Sequence, residues 1–178
     1  MALWIALFRG INVGGNHLLP MAELRSLLEG MGCDDVRTYI QSGNVVLRSS
    51  VRSRTKLQDA IGQAVEDAKG FRAPVLVLSA KELDSAVRKN PFGAVEDGKL
   101  LHFNFLYEKP KRPDLAGLEQ LATQGEELRL IERVLYVHTP QGLARSKVAL
   151  QIEKRLGVQA TARNLRTVGK LVEMAESG

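Results

Sequence analysis

Leu3-Trp4-Ile5-Ala6-Leu7-Phe8, an unbroken apolar run, passes directly into Arg9-Gly10-Ile11-Asn12-Val13-Gly14-Gly15-Asn16. A short continuous apolar run closed by glycines reads as a buried strand leaving into a loop. Such a loop is one place where backbone amides meet an anionic ligand. Gly10 and Gly15 have the spacing of the phosphate-cradling loop, but Asn16 and His17 stand where that loop needs lysine and Ser or Thr. Nucleotide hydrolysis through that motif is therefore not supported.

After the loop, Pro20 opens a helix whose apolar positions Met21, Leu24, Leu27, Leu28 and Met31 fall at helical spacing, with Gly30 and Gly32 as a stop. Val36, Thr38 and Ile40 alternate with Arg37, Tyr39 and Gln41; after the turn Ser42-Gly43-Asn44, Val45-Val46-Leu47 completes a hairpin. A second helix carries Leu57, Ile61, Ala64, Val65 and Ala68, and Pro74 to Leu78 closes this half as a strand. The order is strand, helix, strand, strand, helix, strand.

The same order recurs after a helix capped by Ser79 and a turn-rich stretch from Asn90-Pro91-Phe92 to Asp97-Gly98. Leu101, Phe103, Phe105 and Tyr107 alternate as a strand, and Leu115, Leu118 and Leu121 mark a helix. Leu128–Ile131 and Val134–Val137 form a hairpin across Glu132-Arg133. Val148, Ile152 and Leu156 follow as a helix, Gly157 to Thr161 as a short strand, and Leu165, Val168, Val172 and Ala175 as an extra terminal helix. The expected fold class is α+β: two tandem ferredoxin-like (α/β plait, βαββαβ) units, residues 1–78 and 99–178, joined by a connecting helix and loop at 79–98, the second ending in the extra helix.

Composition bounds the rest. The 178-residue chain is 44% hydrophobic and 25% charged, enough aliphatic material for a core. A formal net charge of +5 and a pI of about 9.5 favour anionic partners, a small anion first and nucleic acid second. Cys33 is the sole cysteine, so no intrachain disulfide forms and multi-cysteine zinc sites are excluded. The N-terminal apolar run is too short for a signal segment and nothing reaches membrane-spanning length, which points to a cytoplasmic protein without a membrane partner. No cofactor or metal site is expected; the histidines His17, His102 and His138 fit no ligand spacing.

Two groups of residues are candidates for a site. Topology sets Arg9–His17 beside Gln41–Asn44, where Arg9, Asn12, Gly14, Gly15 and Asn44 would hold a phosphate, a carboxylate or a nucleobase edge. The competing reading makes the glycines simple carriers of positive φ, with the asparagines bonding local backbone. In the second half Arg145, Lys147, Arg163 and Asn164 are expected at one end, with Arg145, Lys147, Arg163 and Arg166 in first helical turns, where cations face the positive end of the dipole unless an anion intervenes. There the competing reading is pairing with carboxylates such as Glu153 or Glu173. For chemistry, only His17 and the Ser146-Lys147 pair stand out, and neither sits in a catalytic pattern. Phe103 and Phe105 have the spacing of base-stacking aromatics, but alternation places them as readily in the core.

These segments together resemble a bacterial family of unknown function, number 1697. The resemblance is carried by Phe8–Gly15, Met21–Leu24, Val36–Val45, Asn90-Pro91-Phe92, Arg145-Ser146-Lys147, Arg163-Asn164 and Thr167-Val168. It implies a tandem of ferredoxin-like units and brings no reaction with it. Leu18, Leu47 and Leu165 depart from the family's common lysine, phenylalanine and tryptophan, which weakens a phosphate reading at the first loop and removes a stacking surface beside Asn164.

Overall fold

A run that is apolar at every position can be buried on both faces of a sheet, and β1 (Ala2–Phe8) is: each residue from Trp4 to Phe8 is buried. The structure, a computed structural model, describes the whole chain, Met1–Gly178. After β1 come α1 (Met21–Gly30), β2 (Asp34–Tyr39), β3 (Asn44–Ser49), α2 (Arg54–Lys69), β4 (Val75–Ser79) and α3 (Ala80–Arg88). A 3₁₀ turn at Gly98–Leu100 leads into β5 (Leu101–Leu106), α4 (Leu115–Gln120), β6 (Glu127–Ile131) and β7 (Val134–His138). Another 3₁₀ turn at Leu143–Arg145 precedes α5 (Lys147–Leu156), β8 (Ala160–Asn164) and α6 (Leu165–Glu176).

The strands form two antiparallel four-stranded sheets, ordered β2-β3-β1-β4 and β6-β7-β5-β8. The chain therefore repeats one α+β plan twice, and corresponding strands hold corresponding places. By contacts it divides into one unit of Met1–Ser85 with Lys170–Gly178 and another of Ala86–Gly169. The C-terminal part of α6 thus groups with the first unit, where Arg37 donates to the Ser177 hydroxyl at 3.2 Å.

Within the first unit, Trp4, Ala6, Phe8, Val45, Leu47, Val75 and Val77 form one core with Leu24 and Leu28 of α1 and Leu57, Ile61 and Val65 of α2. In the second, Leu106, Leu135, Val137 and Ala160 pack with Leu118 of α4 and Val148, Ile152 and Leu156 of α5. Removing such aliphatic surface from water, at roughly 25 cal/mol per Å², is what holds amphipathic helices on a sheet. Phe103 and Phe105 are core residues too, Phe103 standing edge-on to Tyr136 with ring centroids 4.9 Å apart.

Local signals set the helix ends. Ser53 and Ser146 cap α2 and α5 through the amides of Lys56 and Ala149, and Gly70 and Gly157 close the same helices in the left-handed conformation. Ser79 and Glu82 form a reciprocal capping box on α3, Glu82 accepting from the Ser79 amide at 2.8 Å and Ser79 from the Glu82 amide at 3.2 Å.

One expected element moves. The last strand is not Gly157–Thr161 but Ala160–Asn164. Gly157 at φ 69° ends α5, so Val158 and Gln159 are needed to turn the chain before it can pair with β5, where Ala160 stands opposite Leu106 and Asn164 opposite His102. No helix is long and apolar enough to cross a membrane.

Candidate functional site

At the end of the first unit where β1 exits, the loop and the β2–β3 turn meet as topology requires. The Phe8 amide donates to the Gly43 carbonyl at 2.9 Å. Asn12 joins the two segments: its Nδ2 donates to the carbonyls of Leu19 and Gln41, each at 2.9 Å, and its Oδ1 accepts the Leu19 amide at 2.8 Å. Asn44, fully buried, donates to the Tyr39 carbonyl at 3.2 Å and to the Ser42 hydroxyl at 3.0 Å. Both asparagine side chains thus brace the loops from within.

Gly43 is required by space as well as by its φ of 77°: a Cβ there would lie 2.6 Å from Phe8 Cβ and 2.7 Å from Ile11 Cδ1. Gly14 and Gly15, at φ 59° and 76°, are the central pair of a tight turn closed by the Asn16 amide on the Val13 carbonyl at 3.1 Å. Two successive positive φ values define the type I′ turn, which glycine enters without strain. The amides of Gly14 and Gly15 are exposed and make no hydrogen bond within the protein. Arg9 is half-buried at the root of the loop, its amide on the Pro74 carbonyl at 2.9 Å.

Around this braced pair the surface is unusual. Asn12, His17 and Ile40 are non-glycine residues at φ 55°, 51° and 50°. Val13, Leu18 and Ile40 are exposed at 66%, 58% and 52%. A β-branched residue at positive φ is strained by about 1–3 kcal/mol, so a well-braced turn is needed to hold Ile40 there. His17 lies over Phe71, ring centroids 4.6 Å apart and planes 21° from parallel, and its Nδ1 is 3.2 Å from the Gly10 carbonyl. Since a carbonyl only accepts, Nδ1 carries the proton, leaving Nε2 an acceptor in the neutral ring. Nothing in the sequence pairs His17 with Phe71; the contact forms because the loop and the end of α2 meet in space.

In the second unit the four expected residues occupy different local settings. Lys147 is exposed at the start of α5, but Arg145, also exposed, belongs to the preceding 3₁₀ turn. Arg163 is not in a first helical turn: it lies in β8 opposite Phe103, because the strand begins later than its residues suggested. Burial pulls its guanidinium down to about 10, Tyr107 opposing the shift, and it donates to Thr161 Oγ1 at 3.1 Å and the Ala162 carbonyl at 2.9 Å. Asn164 caps α6 through the Thr167 amide at 3.0 Å.

This end also holds an acid that the sequence did not single out. Glu126, buried beside Ser146, accepts the Gln124 amide at 2.8 Å. Burial pushes its carboxyl up, but hydrogen bonding, led by the Gln124 amide, outweighs it and leaves it below the ordinary carboxylate value, while its buried Oε1 has no hydrogen-bond partner. The protein thus puts a carboxylate of its own beside the residue that caps α5. Ser146, so engaged, is buried while Lys147 is exposed. No group of three or more His, Cys, Asp or Glu side chains is arranged to hold a metal ion.

The repeated plan of sheet and helices defines an α+β protein whose polar loops gather at the strand ends. The sequence model of the family described as "Protein of unknown function (DUF1697)" matches residues 1–136, and the chain belongs to that family. Among solved structures it is similar over its full length to a conserved bacterial protein, SP0830 from Streptococcus pneumoniae: 24% identity, 98% of each chain covered, TM-score 0.71. At that identity the likeness speaks for the fold. No curated protein matches the chain.

Proposed function

We propose that this protein is built of two tandem ferredoxin-like units and binds a small anionic ligand at the loop end of the first. The strand orders β2-β3-β1-β4 and β6-β7-β5-β8 support the fold reading. The observation that carries the ligand reading is the pair of exposed, unengaged amides at Gly14 and Gly15, on a loop held rigid by Asn12 and by the close approach of Gly43 to Phe8. Preorganised amides bind an anion without a further ordering cost, and Arg9 adds positive charge at the loop root. Asn12 and Asn44 serve this reading as braces.

Arg145, Lys147, Arg163 and Asn164 rank second. Glu126 already sets a carboxylate beside Ser146, which disfavours another anion there, and Asn164 is engaged as a cap. The test is a thermal-shift screen of the full chain against inorganic phosphate, nucleotides and short nucleic acids at two salt concentrations. A small anion at about a hundred times its Kd should add roughly 2.7 kcal/mol of stability. That shift should vanish in Arg9→Ala, which removes the positive charge at the loop root, and persist in Arg145→Ala. Loss in Arg145→Ala alone would move the site to the second unit. A response confined to nucleic acid and steeply weakened by salt would replace a small ligand with a polyanion.

A further inference from the structure

We infer that the exposed face of His17 is a stacking platform for a planar heteroaromatic ring, which makes the anionic ligand of the first-unit loop a nucleotide. This rests on the anion reading above and narrows its ligand class. The ring is fixed on two sides. Phe71, packed against the first core at the end of α2, backs it at 4.6 Å and 21°, and the Gly10 carbonyl holds its Nδ1 edge at 3.2 Å. His17 is nevertheless solvent-exposed, so a rigid aromatic surface remains uncovered two residues from the Gly14-Gly15 turn.

Covering Phe71 would not by itself call for an edge-on hydrogen bond or for a ring carried at φ 51°. A stacking platform benefits from both, because a ring already immobilised loses little freedom when a ligand is laid on it. Successive bases stack on such aromatic faces irrespective of their hydrogen-bonding edges. A depression of about 510 Å³ opens between α1 and α2, lined by Leu19, Glu23, Leu27, Ala68 and Lys69, with Leu19 two residues after His17 and Lys69 two residues before Phe71 in the chain. That volume lies within the range of small-molecule sites.

The arrangement predicts two separable contributions, the turn amides taking the phosphate and the His17 face taking the base. Titration calorimetry of the full chain with AMP, adenosine, ribose 5-phosphate and inorganic phosphate separates them. AMP should bind roughly 5- to 150-fold more tightly than ribose 5-phosphate, the span of one base–aromatic stack. His17→Asn, which tolerates positive φ but has no ring, should abolish that preference and leave ribose 5-phosphate binding unchanged; His17→Phe should restore it. In the unsubstituted protein the His17 ring protons should shift upfield in NMR spectra as AMP is added. Equal binding of AMP and ribose 5-phosphate, or a preference that survives His17→Asn, overturns the platform and leaves the anion reading standing. AMP binding that adenosine matches, with no affinity for ribose 5-phosphate, keeps the platform and overturns the anion reading. Silence toward all the probes overturns both.

Discussion

In the first unit a neutral asparagine ties the β1–α1 loop to the β2–β3 turn; in the second a long cation does the corresponding work. Asn12 reaches the Gln41 carbonyl, whereas the Arg133 guanidinium, from the β6–β7 turn, donates to the carbonyls of Leu106 and Tyr107 at 2.9 and 3.0 Å. One topology thus needs one tie at that end in each copy, because the exit of the first strand and the hairpin turn are neighbours. The loops themselves differ. Arg9–Pro20 contains Gly10, Asn12, Gly14, Gly15 and His17 at positive φ, while Tyr107–Asp114 contains Pro110 and Pro113 and no residue at positive φ. The second loop closes on a surface ion pair of Asp114 with Arg155 at 2.5 Å, not on a protruding glycine turn. The scaffold needs only the tie, so the exposed glycine tip of the first copy is an addition to it, and the addition is where a ligand site is proposed.

The largest effect should come from testing whether the first tie depends on close approach. Gly43→Ala forces a Cβ into Phe8 and Ile11 at positive φ and should cost about 2–5 kcal/mol in chemical denaturation, from backbone strain and overpacking together. Gly70→Ala, in the left-handed region at φ 74° with nothing within 4 Å, carries strain alone and should cost about 1 kcal/mol. Equal losses would show that conformation, not contact, selects glycine at Gly43.

Next, Asn12→Ala strands the buried Leu19 amide and should cost about 1–3 kcal/mol, with hydrogen exchange at Leu19 rising more than in the core. Arg133→Ala, which leaves two carbonyls short of a donor but no amide, should cost about half as much. A reversal of that order would make the second unit the more dependent on its tie.

Glu126→Gln should cost about 1 kcal/mol at neutral pH. A carboxyl held below its ordinary value stabilises the fold above the ordinary carboxylate range and ceases to do so as pH falls through the folded value. The two proteins should therefore converge in urea midpoint on acidification, and a gap constant with pH would remove the charge from the explanation.

The smallest effect at neutral pH belongs to His102. Burial, then the charge of His138, lowers its pKa from 6.5, and its buried Nε2 has no hydrogen-bond partner. The folded form holds the ring neutral, so stability is intact above about pH 6.5 and falls as pH drops below it, by at most about 1.4 kcal/mol per pH unit. His102→Gln should flatten that limb and change nothing at pH 8. An unchanged slope would assign the acid sensitivity to other groups.

Several of these features were open to reading from the chain. The apolar run of β1, the hairpin turn at Glu132-Arg133 and the capping Ser79 are signals carried within a few neighbouring residues, and each lies where they indicated. The asparagines of the glycine loop were legible as polar residues at a strand exit, but whether they face a ligand or the backbone depends on partners such as Gln41, far along the chain. Glu126 carried no signal, since an acidic pair, Glu126-Glu127, after a glycine looks like any surface turn. The last strand slipped because Gly157 reads equally as a strand opener and as a helix terminator.

The order of strands and helices, the Ser79 cap and the need for glycine in the tight turns were thus already written in the chain. Those depend on periodicity and backbone preference over a few residues. Folding alone sets Gly43 against Phe8, makes Asn12 hold two loops together, rests His17 on Phe71 and brings Glu126 beside Ser146. Each of those contacts joins residues separated along the chain, and it exists only once burial of the two cores has brought their elements together.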